Sequence, residues 1–235
     1  MTKRTVVAGI LLVLGLLVFS GDNYAEEKGL IGYWKFDEGT GTVTKDFSGK
    51  GNNGNIYGAE WVSGKIGQAL SFDGAGDYVD CGNDASLNTG DVFTFSLWVY
   101  PREETRVNPR IVNKHDEHKN NYQIWSKGDS ASSFGAKFVR NGTACENQAD
   151  IVFEWDKWYH LVVVFENSAI RFYVNGSLVP NKEGMSAGAQ INANLFLGQS
   201  GDYSYFNGLL DEVRIYNRAL NPTEIRELYQ RAAGK

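Results

Sequence analysis

Cysteine is scarce in this chain: Cys81 and Cys145 are the only two among 235 residues. A small fold stapled by several disulfides is therefore excluded, and at most one internal bridge can form. In an oxidising compartment Cys81 and Cys145 can pair; on the alternative reading Cys81 is a small buried side chain at a strand end. Basic charge is lacking too. The formal net charge is −5, which excludes the positive footprint of a nucleic-acid-binding domain. The three histidines, His115, His118 and His160, do not fall at the spacing of a metal motif. No Gly-x-Ser-x-Gly elbow, phosphate-binding loop, internal repeat or low-complexity linker occurs.

Long apolar runs are missing as well, with one exception at residues 6–19. Lys3 and Arg4 precede it, and a small polar stretch, residues 20–25, follows. That is the layout of a secretory signal peptide, whose apolar core runs about 7–15 residues. It is short for a spanning helix, which needs about 17–25. Residues 1–25 are expected to direct export and to be removed, leaving no permanent membrane span; an uncleaved anchor is the lesser alternative. Residues 26–235 then make one domain, long enough to bury a core without a metal or a bridge. Periplasm, cell surface and medium all remain open as destinations.

From Gly29 onward, short apolar and aromatic runs alternate with Gly, Asn, Asp and Ser clusters. Strands are expected at residues 32–36, 69–72, 78–81, 93–100, 111–114 and 122–125, then at 134–140, 159–165, 169–174, 195–198 and 209–216. Phe93, Phe95, Leu97 and Val99 share one face of their strand, as do Ile170, Phe172 and Val174. Such alternation marks a strand buried on one side and wet on the other. Asn175-Gly176 suits a type I′ hairpin turn into a further strand at residues 177–179, because both residues tolerate positive φ. One helix is expected near the C-terminus. Asn221 is its N-cap, Pro222 its first residue and Glu224 the third residue after the cap; Ile225, Leu228 and Tyr229 share a face. The pattern is that of an all-β, two-sheet antiparallel sandwich with a short C-terminal helix.

Several motifs together resemble the laminin G-like jelly-roll domains of the concanavalin A-like lectin/glucanase superfamily. They are Leu30-Ile31-Gly32-Tyr33-Trp34-Lys35-Phe36-Asp37-Glu38-Gly39, Asp46-Phe47-Ser48-Gly49, Gly67-Gln68-Ala69-Leu70-Ser71-Phe72-Asp73-Gly74, and Gly208-Leu209-Leu210-Asp211-Glu212-Val213-Arg214-Ile215-Tyr216. Trp158-Tyr159-His160-Leu161-Val162 and Phe172-Tyr173-Val174-Asn175-Gly176 lie between them in the expected order. The resemblance spans residues 29–231. It implies the jelly-roll topology and a structural calcium ion, with Asp211 as the leading ligand and Asp37 and Gly74 completing the cage. On a metal-free reading, Asp211 caps a turn or pairs with Arg214.

Sugar-binding surfaces combine aromatic faces for stacking with Asp, Asn and Gln to fix hydroxyls. Trp155, Asp202, Tyr203, Tyr205 and Phe206 lie in expected loops and are the ligand-binding candidates; Tyr33, Trp34 and Trp158 sit inside strand patterns and are expected in the core. Hydrolases that resemble this family carry carboxyls at alternate positions of one strand, on one face. No strand here has Glu-x-Asp-x-Glu. The expected function is therefore that of an exported, non-catalytic module binding carbohydrate or glycoprotein. An adhesion domain binding a surface protein is the alternative, and a polysaccharide hydrolase or lyase the least supported.

Overall fold

A computed structural model describes residues 27–103, 108–116, 119–127, 133–140, 143–166, 169–187, 193–200 and 204–233. The export reading of residues 1–25 and the ligand readings of Asp202 and Tyr203 lie outside the described residues. In chain order the first strands are β1 (Leu30–Trp34), β2 (Val43–Thr44), β3 (Gly54–Tyr57), β4 (Glu60–Ser63), β5 (Gln68–Asp73) and β6 (Tyr78–Asp80). Then come β7 (Phe93–Pro101), β8 (Arg110–Asp116), β9 (Lys119–Lys127), β10 (Ser133–Arg140), β11 (Thr143–Ala149) and β12 (Tyr159–Glu166). The last are β13 (Ala169–Val174), β14 (Ser177–Val179), β15 (Asn181–Ala187), β16 (Leu195–Leu197), β17 (Asn207–Tyr216) and the helix α1 (Pro222–Ala233).

The strands form two antiparallel sheets. Sheet A has eight strands in the order β14-β13-β12-β7-β17-β5-β4, with β1 also on β17; sheet B has nine, β15-β11-β10-β9-β8-β16-β6-β3-β2. The expected strands are all present, within a few residues at their ends. Five more segments join the sheets: β2, β3, β4, β11 and β15. β11 (TACENQA) and β15 (NKEGMSA) are poor in β-branched and aromatic residues. Their pairing with β10 and with each other holds them extended, where side-chain propensity alone gives little signal. Asn175 (φ 50°) and Gly176 (φ 77°) make the expected turn.

The inner faces of both sheets meet in one core. Phe93 stacks on Phe165 at 4.3 Å between ring centroids and meets Phe138 edge-on at 5.0 Å. Phe93, Phe95, Leu97 and Val99 are fully buried, as alternation predicts. The outer face of β7 is not wet, however. Thr94, Ser96 and Trp98 are buried too, because α1 and the chain leading into it lie over sheet A. Leu220, Ile225 and Leu228 pack there against Tyr33, Val162, Val164, Tyr173 and Tyr216. Tyr229 stacks on Trp98 at 5.8 Å. Alternation reports which side chains share a face, not whether a helix covers it.

The helix begins as its sequence dictates. Asn221 Oδ1 accepts from the backbone N–H groups of Thr223 (2.9 Å) and Glu224 (3.1 Å), and the Glu224 carboxylate accepts from Asn221 N (2.8 Å). This reciprocal box satisfies orphan donors of the first turn. Asn221→Ala is expected to cost about 1 kcal/mol of stability in a denaturant titration; no change would mean that docking alone fixes the helix start.

The possible disulfide is overturned. Cys81 follows β6 and Cys145 lies on β11, and strands β16, β8, β9 and β10 stand between them. Five strand spacings put the two roughly 24 Å apart, whereas a bridge needs Cα atoms within about 7 Å. Neither is a half-cystine. Burial pushes the Cys81 thiol well up from its ordinary pKa, so Cys81 is the small buried side chain of the alternative reading.

Candidate functional site: the outer face of sheet B

With α1 over sheet A, the outer face of sheet B is the sheet surface that no helix of the described residues covers. Its side chains follow from register. Asn55 on β3 pairs with Asp80 on β6, Asp80 with Phe196 on β16, and Phe196 with Asn113 on β8. Asn113 then pairs with Gln123 on β9, Gln123 with Lys137 on β10, and Lys137 with Glu146 on β11. Their neighbours Ile56, Val79, Leu195, Leu197, Val112, Ile124 and Ala136 point into the core. One row, polar at every strand except Phe196 on β16, thus crosses seven strands, about 29 Å at the usual strand spacing.

At one end the row is bordered by aromatic rings. Tyr57 and Tyr78 stack at 4.6 Å with their planes 14° apart, and Phe196 meets Tyr78 edge-on at 5.9 Å. Tyr57 is 47% exposed, which leaves ring surface facing solvent. Desolvation, with the neighbouring Tyr57, Asp80 and Tyr205, holds the Tyr78 hydroxyl above its usual pKa. At the centre, Gln123 Nε2 donates to Asn113 Oδ1 at 2.8 Å, and Asn113 Nδ2 has no acceptor although Asn113 is fully buried. Farther along, Trp125 lies flat against Gly135, where a Cβ would sit 2.2 Å from the indole, and the Arg110 guanidinium covers its ring at 5.1 Å.

The loop residues singled out from sequence fare differently. Tyr205, half-buried, bridges to Arg110 and borders Tyr78, so it joins the aromatic border. Trp155 is half-buried, edge-on to Phe153 at 4.9 Å, and packs against the core. Phe206 is fully buried against Phe72 and offers no face to a ligand. Its flanks read as loop, but the short bridge at Tyr205 turns the ring inward. Trp34 is core as expected; Tyr33 is buried under α1 instead, and Trp158 is half-buried against Tyr100.

On the other sheet, Asp37 and Asp211 come together across one turn. Asp37 Oδ1 accepts from Gln68 N (3.0 Å) and Asp211 Oδ2 from Ile66 N (2.8 Å). A one-residue bulge in β17 follows Asp211 and re-aims the chain there. Phe36 (φ 59°) and Glu212 (φ 54°), next to the two aspartates, both adopt the left-handed conformation, a strain typical of sites held by their surroundings. Asp211 is fully buried, and its Oδ1 has no hydrogen-bond partner. Desolvation pushes its carboxyl up to about 8, against the pull of the Ile66 amide and with the help of nearby Glu212 and Asp37. A buried carboxylate oxygen of this kind fits a hard cation. Gly74 does not belong to the set. It follows the far end of β5, six residues from Gln68, or about 20 Å along a strand. Among the described residues no group of three or more His, Cys, Asp or Glu side chains is placed to hold a metal, so a cation at this pair would take its other ligands from carbonyls or water.

His160 lies under α1 with Nε2 3.0 Å from Ser96 Oγ and Nδ1 without a partner. Trp98 and Tyr229 flank the ring. Burial, and then the Arg214 charge, lower its pKa to about 3. The unfolded chain binds this proton more readily, so the contribution is present above about pH 6.5 and lost as pH falls toward 3. Denaturant titrations are expected to show falling stability across that window and a shallower fall for His160→Gln; equal slopes would contradict this.

Comparisons with known proteins agree with this architecture. The family model described as the concanavalin A-like lectin/glucanases superfamily matches residues 73–226. The adhesion G-protein coupled receptor V1 of Danio rerio is 28% identical over 151 residues, 60% of this chain and 2% of the receptor. Domain 4 of AbnA, a GH43 extracellular arabinanase from Geobacillus stearothermophilus solved with arabinotriose, superposes with a TM-score of 0.68. It is 23% identical, over 87% of this chain and 100% of that domain. The binding domain of Paraclostridial Mosquitocidal Protein 1 gives a TM-score of 0.69 at 18% identity, over 86% of this chain and 52% of that one. At these identities the likeness to solved structures shows the fold. No helix among the described residues is long and apolar enough to cross a membrane.

Proposed function

Because the chain belongs to the concanavalin A-like lectin/glucanases superfamily, we propose that it is an exported, non-catalytic module that binds carbohydrate on the outer face of sheet B. The observation that carries this reading is the Tyr57–Tyr78–Phe196 border beside a row of amide and carboxylate side chains. Aromatic faces stack on sugar rings while polar groups fix their hydroxyls, and both are present on a face that no helix of the described residues covers. The arabinotriose-bound domain supports this choice of ligand class.

Hydrolysis fits poorly. The described carboxylates of the row, Asp80 and Glu146, stand five strands apart, roughly 24 Å, where paired-carboxylate hydrolysis needs about 5–9.5 Å. Calcium at Asp37 and Asp211 would be structural, because it lies on sheet A. Residues 1–25 would carry the chain across a membrane. The test is a glycan array with and without calcium: binding to a defined set of glycans is expected, and binding to none under either condition contradicts the proposal. The adhesion-receptor relative favours one alternative, a surface protein as partner.

A further inference from the structure

The charge around the aromatic border selects among carbohydrates, an inference that rests on the reading of this face as a glycan site. Asp80 stands in the row beside Phe196 and borders Tyr78. Its carboxylate accepts only from neutral donors, Gly82 N at 2.8 Å and Asn194 Nδ2 at 3.1 Å. Asp77, next to Tyr78, lies against Gly58 and is held near Asp73 and Glu60. Its other partner is a backbone amide, Asp73 N. Among the described residues, no Lys or Arg pairs with Asp73, Asp77, Asp80 or Glu60. Two described cations of this face are committed elsewhere. Arg110 lies over Trp125 and donates to Asn108 O at 2.6 Å. Lys137 is 3.9 Å from Glu146, four strands from Asp80.

A carboxylate or sulfate laid on Tyr57, Tyr78 and Phe196 would therefore meet uncompensated like charge beside the rings, in a partly dry setting where repulsion is strong. A hydroxyl meets none. Beside Phe196 in the row, Asn113 is fully buried with its Nδ2 unpartnered, so an oxygen acceptor reaches that donor only if the side chain turns outward. From this geometry we infer that the ligand is an uncharged oligosaccharide lying across β3, β6 and β16, and that glycans bearing carboxylate or sulfate are rejected at this aromatic end.

The test uses the full chain on an array of matched pairs, each neutral oligosaccharide beside its sialylated and sulfated forms, at 0.05 and 0.5 M salt. Neutral members are expected to be retained at least tenfold above their charged counterparts, with retention unchanged by salt. Asp80→Asn should narrow the ratio several-fold if it folds; the salt series stands without it. Preferential retention of charged members, or retention that collapses in high salt, overturns the inference but leaves the face as a glycan site. Retention of no glycan, or retention unaffected by Tyr78→Ala, overturns the reading beneath it.

Discussion

Tyr78→Ala is expected to weaken saccharide retention by about ten- to a hundredfold, the range of a buried aromatic anchor contributing roughly 1.4–3 kcal/mol. Tyr78 stands between Tyr57 and Phe196, so its loss removes one ring and the neighbour that orients two others. The effect on folding should be small by comparison. Tyr78 is half-buried on the outer face, while the adjacent Val79 fills the core. Affinity measured by calorimetry, alongside the melting temperature, separates the two. Trp155→Ala is the control: Trp155 packs between loop and core, so its loss should lower stability before affinity. An affinity loss confined to Trp155→Ala would return the site to the loops.

The second large effect concerns Asp211. Calcium at a hundredfold excess over its Kd is expected to stabilise the chain by about 2.7 kcal/mol, roughly a 5–10 °C rise in melting temperature at this chain length. Asp211→Asn should abolish the rise, because it removes the carboxylate whose buried Oδ1 has no other partner. Asp37→Asn should reduce it, and a Gly74 variant should leave the increment intact. Identical melting in EDTA and in calcium would remove the ion from the account. Asp211 would then be a turn cap on Ile66, held mostly protonated by burial.

These two sites differ in how much of them the sequence reveals. Asp37 and Asp211 stand inside ordered family motifs, and the structure brings them together across the Gly64–Gln68 turn. The resemblance joins Gly74 to the pair as well, but Gly74 follows the far end of β5, and a motif does not say which end of its strand faces the pair. The aromatic border was half legible. Alternation puts Tyr78 and Asp80 opposite Val79, and Phe196 opposite Leu195 and Leu197, but it does not say that these strands are neighbours or that no helix of the described residues covers their outer face. Tyr57 was hidden for another reason. Gly54 and Asn55 disfavour a strand, and only pairing with β6 holds β3 extended. Phe206 shows the converse error, a ring in a loop-like stretch that one isolated bridge turns into the core.

The sandwich itself was legible because its strands alternate and its turns carry Asn, Gly and Asp at the places where φ must change sign. What a single chain cannot encode locally is coverage. Trp98 and Ser96 look half-exposed by alternation, yet α1 folds back from the end of the sequence to bury them. That same coverage leaves sheet B as the face for the proposed ligand.

The most direct test of that assignment is a map of backbone amide shifts on adding an oligosaccharide that the chain retains. The account predicts shifts at Asn55, Tyr57, Tyr78, Asp80, Phe196, Asn113 and Gln123. Shifts confined to the loop around Trp155, or to α1 and the outer face of sheet A, would contradict it.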